Sequence, residues 1–276
     1  MHKRIGKLDP DLADQIAAGE VVERPASIVK EVVENSLDAG SKNIDISVSG
    51  GGLKSIYVSD DGNGIHEADL TLAIQRHATS KISKSEDLLS ISTLGFRGEA
   101  LASIASVSRF KLLSRSAQSE SGWMISTAGD FKFSKEPIAH NRGTTVHADE
   151  LFFNVPARRK FLKSERAENR QIETVVKKIS LANMSVAFSY AQSGSSKNER
   201  GLRKLELKAG DPRQRLADVL SPDFVENSIF LDETRNRYRL FGWIGVPSHN
   251  RAQRDQQFFY VNKRPVKDEV VNQAVR

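Results

Sequence analysis

The stretch EVVENSLDAG, Glu31 to Gly40, sets two carboxylates and a carboxamide close together: Glu31, Asn35 and Asp38. On a helix they share one arc, and Glu31 and Asn35, four apart, are neighbours. A glutamate so placed can orient and deprotonate water. An asparagine oxygen one turn later can ligate magnesium, a hard cation that prefers oxygen. Asp60 follows the strand-like SIYVS and can accept the amino proton of adenine. Gly62 and Gly64, in DDGNGI, let backbone approach the ring. The run Gly95–Leu101, GFRGEAL, is flexed at Gly95 and Gly98 and enters a helix, whose N-terminus offers free N–H groups to phosphate. A base for water, a magnesium ligand, an adenine-reading acid and a phosphate cradle are what ATP hydrolysis needs. Each piece alone has a duller reading: a solvated helix face, an ordinary turn, a loop with a helix cap, and polar surface at RHATSK. Their joint presence in this order points to one chemistry. The P-loop signature is absent, which excludes that route to ATP.

The surrounding sequence supplies elements to position these residues. Pro25 suits the first turn of a helix and Gly40 the position after its last. Between them Ile28, Val29, Val32, Val33 and Leu37 form an apolar arc opposite the polar one. Alternating Ile44, Ile46 and Val48 predict a strand, Gly50 to Gly52 a turn, and SIYVS a returning strand that delivers Asp60. EADLTLAIQRHA reads as helical, before the polar run TSKISKSED. A helix of small and apolar residues follows Gly98 and leads into a strand, RFKLLSR. Another strand follows Gly143, then a basic turn around Pro156 in LFFNVPARRKFL, then a long amphipathic helix, AENRQIETVVKKISLANM. QSGSSKNERG is the candidate linker. Beyond it lie strand-like RYRLFGWIGV and QQFFYVN and a helical start, DEVVNQAVR. No internal repeat is present.

The 276 residues suffice for one large domain or two ordinary ones. Hydrophobic residues at 38% and charged residues at 28% suit a globular chain rather than a disordered one. With no cysteine, disulfides and thiolate metal sites are excluded. No apolar run is long enough to span a membrane, and MHKRIGKLDPDL lacks the apolar core of a secretory signal. A cytoplasmic setting is expected. The net charge of +6 is concentrated late: residues 200–276 hold 15 Lys and Arg against 10 Asp and Glu. Such a module can meet a polyanion, or be a solvated basic surface.

The runs QIAAGEVVERPASIVKEVVENSLDAG, DDGNGI, RHATSKI, GFRGEALASI and LFFNVPARRKFL resemble the bacterial MutL family of DNA mismatch repair proteins. The likeness covers nearly the whole chain, and ENSLDAG and GFRGEALASI are highly specific. MutL belongs to the GHKL superfamily, with gyrase-like topoisomerases, histidine kinases and heat-shock chaperones. The resemblance implies an α/β fold: a GHKL (Bergerat-type) ATPase sandwich of helices on a mixed sheet over residues 1–200, then a ribosomal-S5-like α/β domain over 208–276. It implies ATP and magnesium as ligands, with Glu31 as general base, Asn35 as metal ligand, and Asp38 and Ala39 continuing that motif, Asp38 in a supporting role. It implies Asp60 as the adenine-reading acid beside Gly62 and Gly64, with Thr144 helping to hold both. Thr79, Ser80 and Lys81 fall in the family's ATP lid. Leu94, Gly95, Phe96, Arg97, Gly98, Glu99, Ala100 and Leu101 fall in its phosphate-binding segment.

The family usually carries Asn after the adenine-reading acid, where this chain has Asp61. The resemblance also implies that the second domain is cut short before a lysine that reaches the γ-phosphate. The later dimerisation domain is absent too. The implied role is a slow ATPase switch coupling mismatch recognition by MutS to a downstream nuclease and helicase through ATP-driven N-terminal homodimerisation. Weak, sequence-independent DNA contact is expected at Arg264 and Lys267, as exposed residues, and no membrane. A type II topoisomerase ATPase subunit and a nucleotide-independent DNA-binding module are the alternatives. GFRGEALASI and PARRKFL argue against the first, and the second leaves Glu31, Asn35 and Asp60 without a role.

Overall fold

In the computed structural model, α1 runs from Pro25 to Asp38 with proline at its first turn, where the fixed φ suits a helix and no N–H is missed. Ile28, Val29, Val32 and Val33 are buried along one side, and α1 packs on the first two strands of a large sheet. In β1 (Asn43–Ser49) buried and exposed residues alternate, with Ile44, Ile46 and Val48 turned to the core. β2 (Ser55–Asp60) returns antiparallel through a 3₁₀ turn at Gly50–Gly52. The structure describes residues 18–82, 84, 86–87, 93–95, 98–129, 132–194, 203–249 and 257–274.

The chain then makes a short α2 (Leu70–Ala73) and α3 (Ala100–Ser106), followed by β3 (Arg109–Arg115), β4 (Gly122–Thr127), β5 (Ser134–Ile138) and β6 (Gly143–Asp149). Next come α4 (Pro156–Phe161), the long α5 (Glu165–Ala182), β7 (Ala187–Ser193) and β8 (Arg203–Leu207). The eight strands form one sheet in the order β5-β4-β3-β6-β2-β1-β7-β8. β7 is parallel to β1, while β1–β2, β2–β6, β3–β6, β3–β4 and β4–β5 are antiparallel. Ile56, Val58, Phe110, Leu112, Ile125, Val146, Ala148, Phe188 and Tyr190 continue the buried layer. Each of the Val, Ile, Leu and Phe side chains among them contributes about 1.5–3 kcal/mol on leaving water. No helix among the described residues is long and apolar enough to cross a membrane.

The chain divides into two units, residues 1–176 with 187–206, and residues 177–186 with 207–276. The second contains α6 (Pro212–Val219), α7 (Pro222–Glu226), the hairpin β9 (Ser228–Arg235)–β10 (Tyr238–Gly245), the hairpin β11 (Phe259–Val261)–β12 (Arg264–Val266) and α8 (Glu269–Ala274). Arg215 of α6 is buried within it. Its guanidinium donates to the carbonyls of Ser180, Val186, Leu207 and Lys208, between 2.7 and 3.3 Å. Burial pushes its pKa down, opposed by the charge of Asp218.

Several expectations change. EADLTLAIQRHA yields only a 3₁₀ turn at Glu67–Asp69 and the four residues of α2. Leu70 and Ile74 are buried, but His77 adopts a positive φ of 60° and the helix cannot continue through it. The basic turn at Pro156 is instead the helix α4, started by that proline. The first two residues of the expected linker, Gln192 and Ser193, belong to β7; residues 195–201 of it lie outside the described residues. Arg264 is half-buried rather than exposed, whereas Lys267 is exposed. Burial lowers the pKa of Lys178, and the like charge of Lys267 adds to that effect.

Candidate functional site

The polar arc of α1 is built as two adjoining clusters. In the first, the Lys81 ammonium donates to Asn35 Oδ1 at 2.7 Å and Asp38 Oδ2 at 2.5 Å. The Lys81 and Asp38 side chains are only 19% and 9% exposed, so this pair is poorly screened by water. Asp38 also accepts the backbone N–H groups of Leu94 (2.8 Å) and Gly95 (3.2 Å). Gly95 faces the Lys81 ammonium and the Asn35 oxygen. Thr79 Oγ1 accepts the Lys81 N–H at 3.1 Å, while Ser80 is exposed and Gly98 lies against the Ala78 carbonyl. Glu99 precedes α3, which opens with Ala100 and Leu101; its carboxylate lies 3.3 Å from His77 Nδ1. Phe96 and Arg97 lie outside the described residues.

Glu31 sits one turn before Asn35, and its Oε1 accepts from Lys30 Nζ at 2.9 Å. Lys30 also reaches Glu34 Oε2 at 3.0 Å. The opening stretch carries no lysine, yet two lysines from outside it serve this arc. Burial works against the charge of Lys30, but the hydrogen bonds and charges of Glu31 and Glu34 outweigh it and hold its pKa above the ordinary value. Burial pushes the Glu34 carboxyl up despite Lys30. Glu34 and Ser36 are buried, so α1 hides two polar side chains that an amphipathic reading leaves in solvent.

The second cluster surrounds Asp60. Ser36 Oγ donates to Asp60 Oδ2 at 2.7 Å, and the Gly62 N–H donates to Oδ1 at 2.9 Å. Register places Asp60 beside Ile44 of β1 and Thr144 of β6. Thr144 Oγ1 pairs with Ser114 Oγ at 3.0 Å; Ser114 also donates to the Gly143 carbonyl and accepts the Ile65 N–H. Two glycines permit this packing. A Cβ on Gly143 (φ 122°) would lie 1.9 Å from the Asp60 carbonyl oxygen, and one on Gly64 (φ 69°) 2.1 Å from that of Arg115. Arg142 secures the loop between them, donating to the Gly62 carbonyl at 3.2 Å and Asn63 Oδ1 at 2.9 Å. The Ala39 carbonyl accepts the Asn63 N–H at 3.0 Å. Ser36, Ser114 and Arg142 escaped the sequence reading. Ser36 adjoins Asn35, but nothing in its neighbourhood signals a bond to a residue 24 positions away.

Asp61 faces away from this cluster. Its carboxylate accepts the N–H groups of Lys42 (2.7 Å) and Asn43 (2.9 Å) and the Asn43 side-chain amide (2.7 Å), at the start of β1. Burial is the largest single influence and opposes its charge, but these bonds together outweigh it and lower its pKa. The departure from Asn therefore leaves the Asp60 carboxylate untouched. Asp61→Ala is expected to cost about 1–2 kcal/mol at neutral pH, the charge-assisted range discounted for exposure. Because the folded pKa is the lower one, that stabilisation is complete above the unfolded value near 4 and is lost as pH falls through the folded value. Urea melts of both proteins should thus converge in acid; a gap that persists unchanged at pH 2.5 contradicts the assignment.

Asp38 ties α1 to the Leu94–Gly95 backbone, so Asp38→Ala should speed amide exchange at both positions about tenfold, equivalent to the loss of ~1.4 kcal/mol of local stability. Exchange by NMR at the wild-type rate would show that the segment is anchored elsewhere.

Oxygen donors that already surround an ammonium fit magnesium, which favours hard oxygen ligands. Among the described residues no three of His, Cys, Asp and Glu gather as a metal-binding group.

Residues 23–145 match a family described as histidine kinase-, DNA gyrase B-, and HSP90-like ATPase, and residues 216–276 match the C-terminal domain of DNA mismatch repair protein. The DNA mismatch repair protein MutL of Cellvibrio japonicus is 47% identical over 279 residues, 99% of this chain and 44% of the relative. That of Pseudomonas fluorescens is 48% identical over 274 residues, 99% of this chain and 43% of the relative. The chain thus spans less than half the length of these curated relatives. Among solved structures, the Aquifex aeolicus MutL ATPase domain complexed with ADP aligns with a TM-score of 0.67 at 30% identity, covering 92% of this chain and 87% of that one. The N-terminal domain of a DNA repair protein aligns with a TM-score of 0.78 at 26% identity, covering 95% and 80%.

Proposed function

The chain belongs to the MutL family of DNA mismatch repair proteins, and from that premise we propose that it binds ATP with magnesium along the polar arc of α1 and hydrolyses it slowly, as a switch. Residues 1–200 act as the ATPase domain and residues 208–276 as a second domain. The observation that carries this reading is that consecutive residues of one helix hold both clusters. Asn35 faces the cation of Lys81, and Ser36 holds the carboxylate of Asp60.

In this reading Asp60 accepts the adenine amino proton. Its other hydrogen bonds, from Ser36 and Gly62, fix the carboxylate before the base arrives. Thr144, held by Ser114, lines the same edge. Glu31 takes the proton of the attacking water, and Lys30 holds that carboxylate in place. Asn35 and Asp38 would hold magnesium, Asn35 directly and Asp38 in support; the metal supplies charge neutralisation across the phosphates. Lys81 leaves Asn35 and Asp38 as nucleotide enters, and N–H groups of Gly95 to Leu101 meet phosphate.

ATP binding then promotes pairing of two N-terminal regions, which couples MutS to a nuclease and a helicase; hydrolysis resets the pair. DNA is met weakly through backbone phosphate, with Arg264 and Lys267 among the contacts. The setting is cytoplasmic. The topoisomerase reading leaves the mismatch-repair match over residues 216–276 unexplained, and the nucleotide-independent reading leaves Glu31, Asn35 and Asp60 without a role.

Calorimetric titration of the chain with a non-hydrolysable ATP analogue, with and without magnesium, tests the proposal. One site per chain, strengthened by magnesium, is expected. No heat of binding at millimolar analogue overturns it.

A further inference from the structure

Lys30 can hold Glu31 only if the lysine is itself held, and α1 supplies an anchor. Successive residues of a helix point about 100° apart, so Lys30 and Glu31 do not face one another by default. Glu34, four residues on from Lys30, comes round to about 40° from it, on the side toward Glu31. A lysine drawn to Glu34 is therefore drawn toward Glu31 as well. The Lys30 ammonium spans both acids, 2.9 Å from Glu31 Oε1 and 3.0 Å from Glu34 Oε2.

The three side chains differ in freedom. Those of Lys30 and Glu31 are 43% and 28% exposed, whereas that of Glu34 is 10% exposed. Among the described residues the Glu34 side chain bonds to Lys30 alone, and to none of Asn35, Asp38 and Asp60. Burial pushes its carboxyl up, the charge and hydrogen bond of Lys30 oppose that, and the like charges of Glu31 and Asp38 add to the rise. A carboxylate so buried needs its cation, and the ammonium that answers it is confined. A lysine paired only with a surface acid would be loosely placed, because such pairs gain little in water. Anchored at Glu34, Lys30 fixes one oxygen of Glu31. Glu31 Oε2 bonds to no described residue and is left to accept from water.

We infer that Glu34 is a positioning residue for Glu31, with the Lys30 ammonium as the link between the two carboxylates. This role rests on the reading of Glu31 as the base, and it falls to a buried side chain that meets neither nucleotide nor the attacking water. What passes along the link is position: a reacting group misplaced by about 1 Å can cost about 10²-fold in rate.

The test is steady-state turnover of the full chain at saturating ATP, beside calorimetric affinity for a non-hydrolysable ATP analogue in magnesium. Glu34→Leu removes the anchor without leaving a buried charge. It should lower turnover about 10- to 100-fold while affinity stays within about threefold. Glu34→Gln keeps an acceptor oxygen for the ammonium and should recover part of the loss. In the Glu31→Ala background Glu34→Leu should lower turnover no further, because the group that it positions is gone. Thermal melting checks the fold. If Glu34→Leu does not fold, Lys30→Met cuts the same link at a half-exposed residue and is held to the same outcomes. Turnover of Glu34→Leu within about threefold of wild type overturns the inference. So does an equal fall in affinity and turnover, which would make Glu34 a structural residue of α1. A further loss in the Glu31→Ala background also overturns it, since the effect would then bypass Glu31. Wild-type turnover in Glu31→Ala alone is a separate failure: it removes the base, and this role with it.

Discussion

Replacement of Glu31 by alanine is expected to lower ATP turnover by about 10²–10⁴-fold, the range for a positioned general base. ATP affinity in magnesium should stay within about threefold, because only transition-state proton transfer is lost. The geometry explains the separation. Glu31 touches Lys30 and no member of the Asp60 cluster, whereas Asn35 and Asp38 hold the Lys81 cation. Asn35→Ala should therefore weaken magnesium-dependent binding as well as hydrolysis. Steady-state turnover with calorimetric affinity distinguishes the two. Turnover of Glu31→Ala within about threefold of wild type removes Glu31 from the role of base.

The second large effect is expected at Asp60. A hydrogen bond to a charged acceptor contributes about 1.5–3 kcal/mol, so Asp60→Ala should lower ATP affinity roughly 10- to 150-fold. Selectivity should fall with it. Guanine presents a carbonyl where adenine presents an amino group, and a carboxylate repels the one and binds the other. GTP binding should thus suffer less than ATP binding, or improve. The fold should survive, because the freed Ser36 hydroxyl can turn its one proton to the Val32 carbonyl, 3.1 Å away. Titration with both nucleotides, beside a thermal melt, reads the outcome. An unchanged ratio of ATP to GTP affinity would show that Asp60 does not face the base.

Within α1, sequence alone was sufficient to place Glu31, Asn35 and Asp38 on one side and Ile28, Val29, Val32 and Val33 on the other, since helical periodicity is local, whereas Leu37, expected with them, is only partly buried. The same holds for the β1–β2 hairpin, whose alternation and glycine turn carry Asp60 to a strand end. What the sequence left open were contacts between distant positions, which depend on sheet order, register and burial. β6 enters between β3 and β2 rather than following β5, and that insertion sets Thr144 opposite both Asp60 and Ser114. Lys81 reaches Asn35 and Asp38 from more than forty residues away. Asp61 and Asp60 are adjacent, yet strand geometry sends neighbouring side chains to opposite sides, so one caps β1 and the other joins the polar arc. Burial was decided the same way. Arg215 lies inside and Phe161 outside, against their intrinsic preferences; four carbonyls converge on the Arg215 guanidinium. Periodicity within an element is written in consecutive residues; the partner that each face meets is settled only when the whole chain has packed.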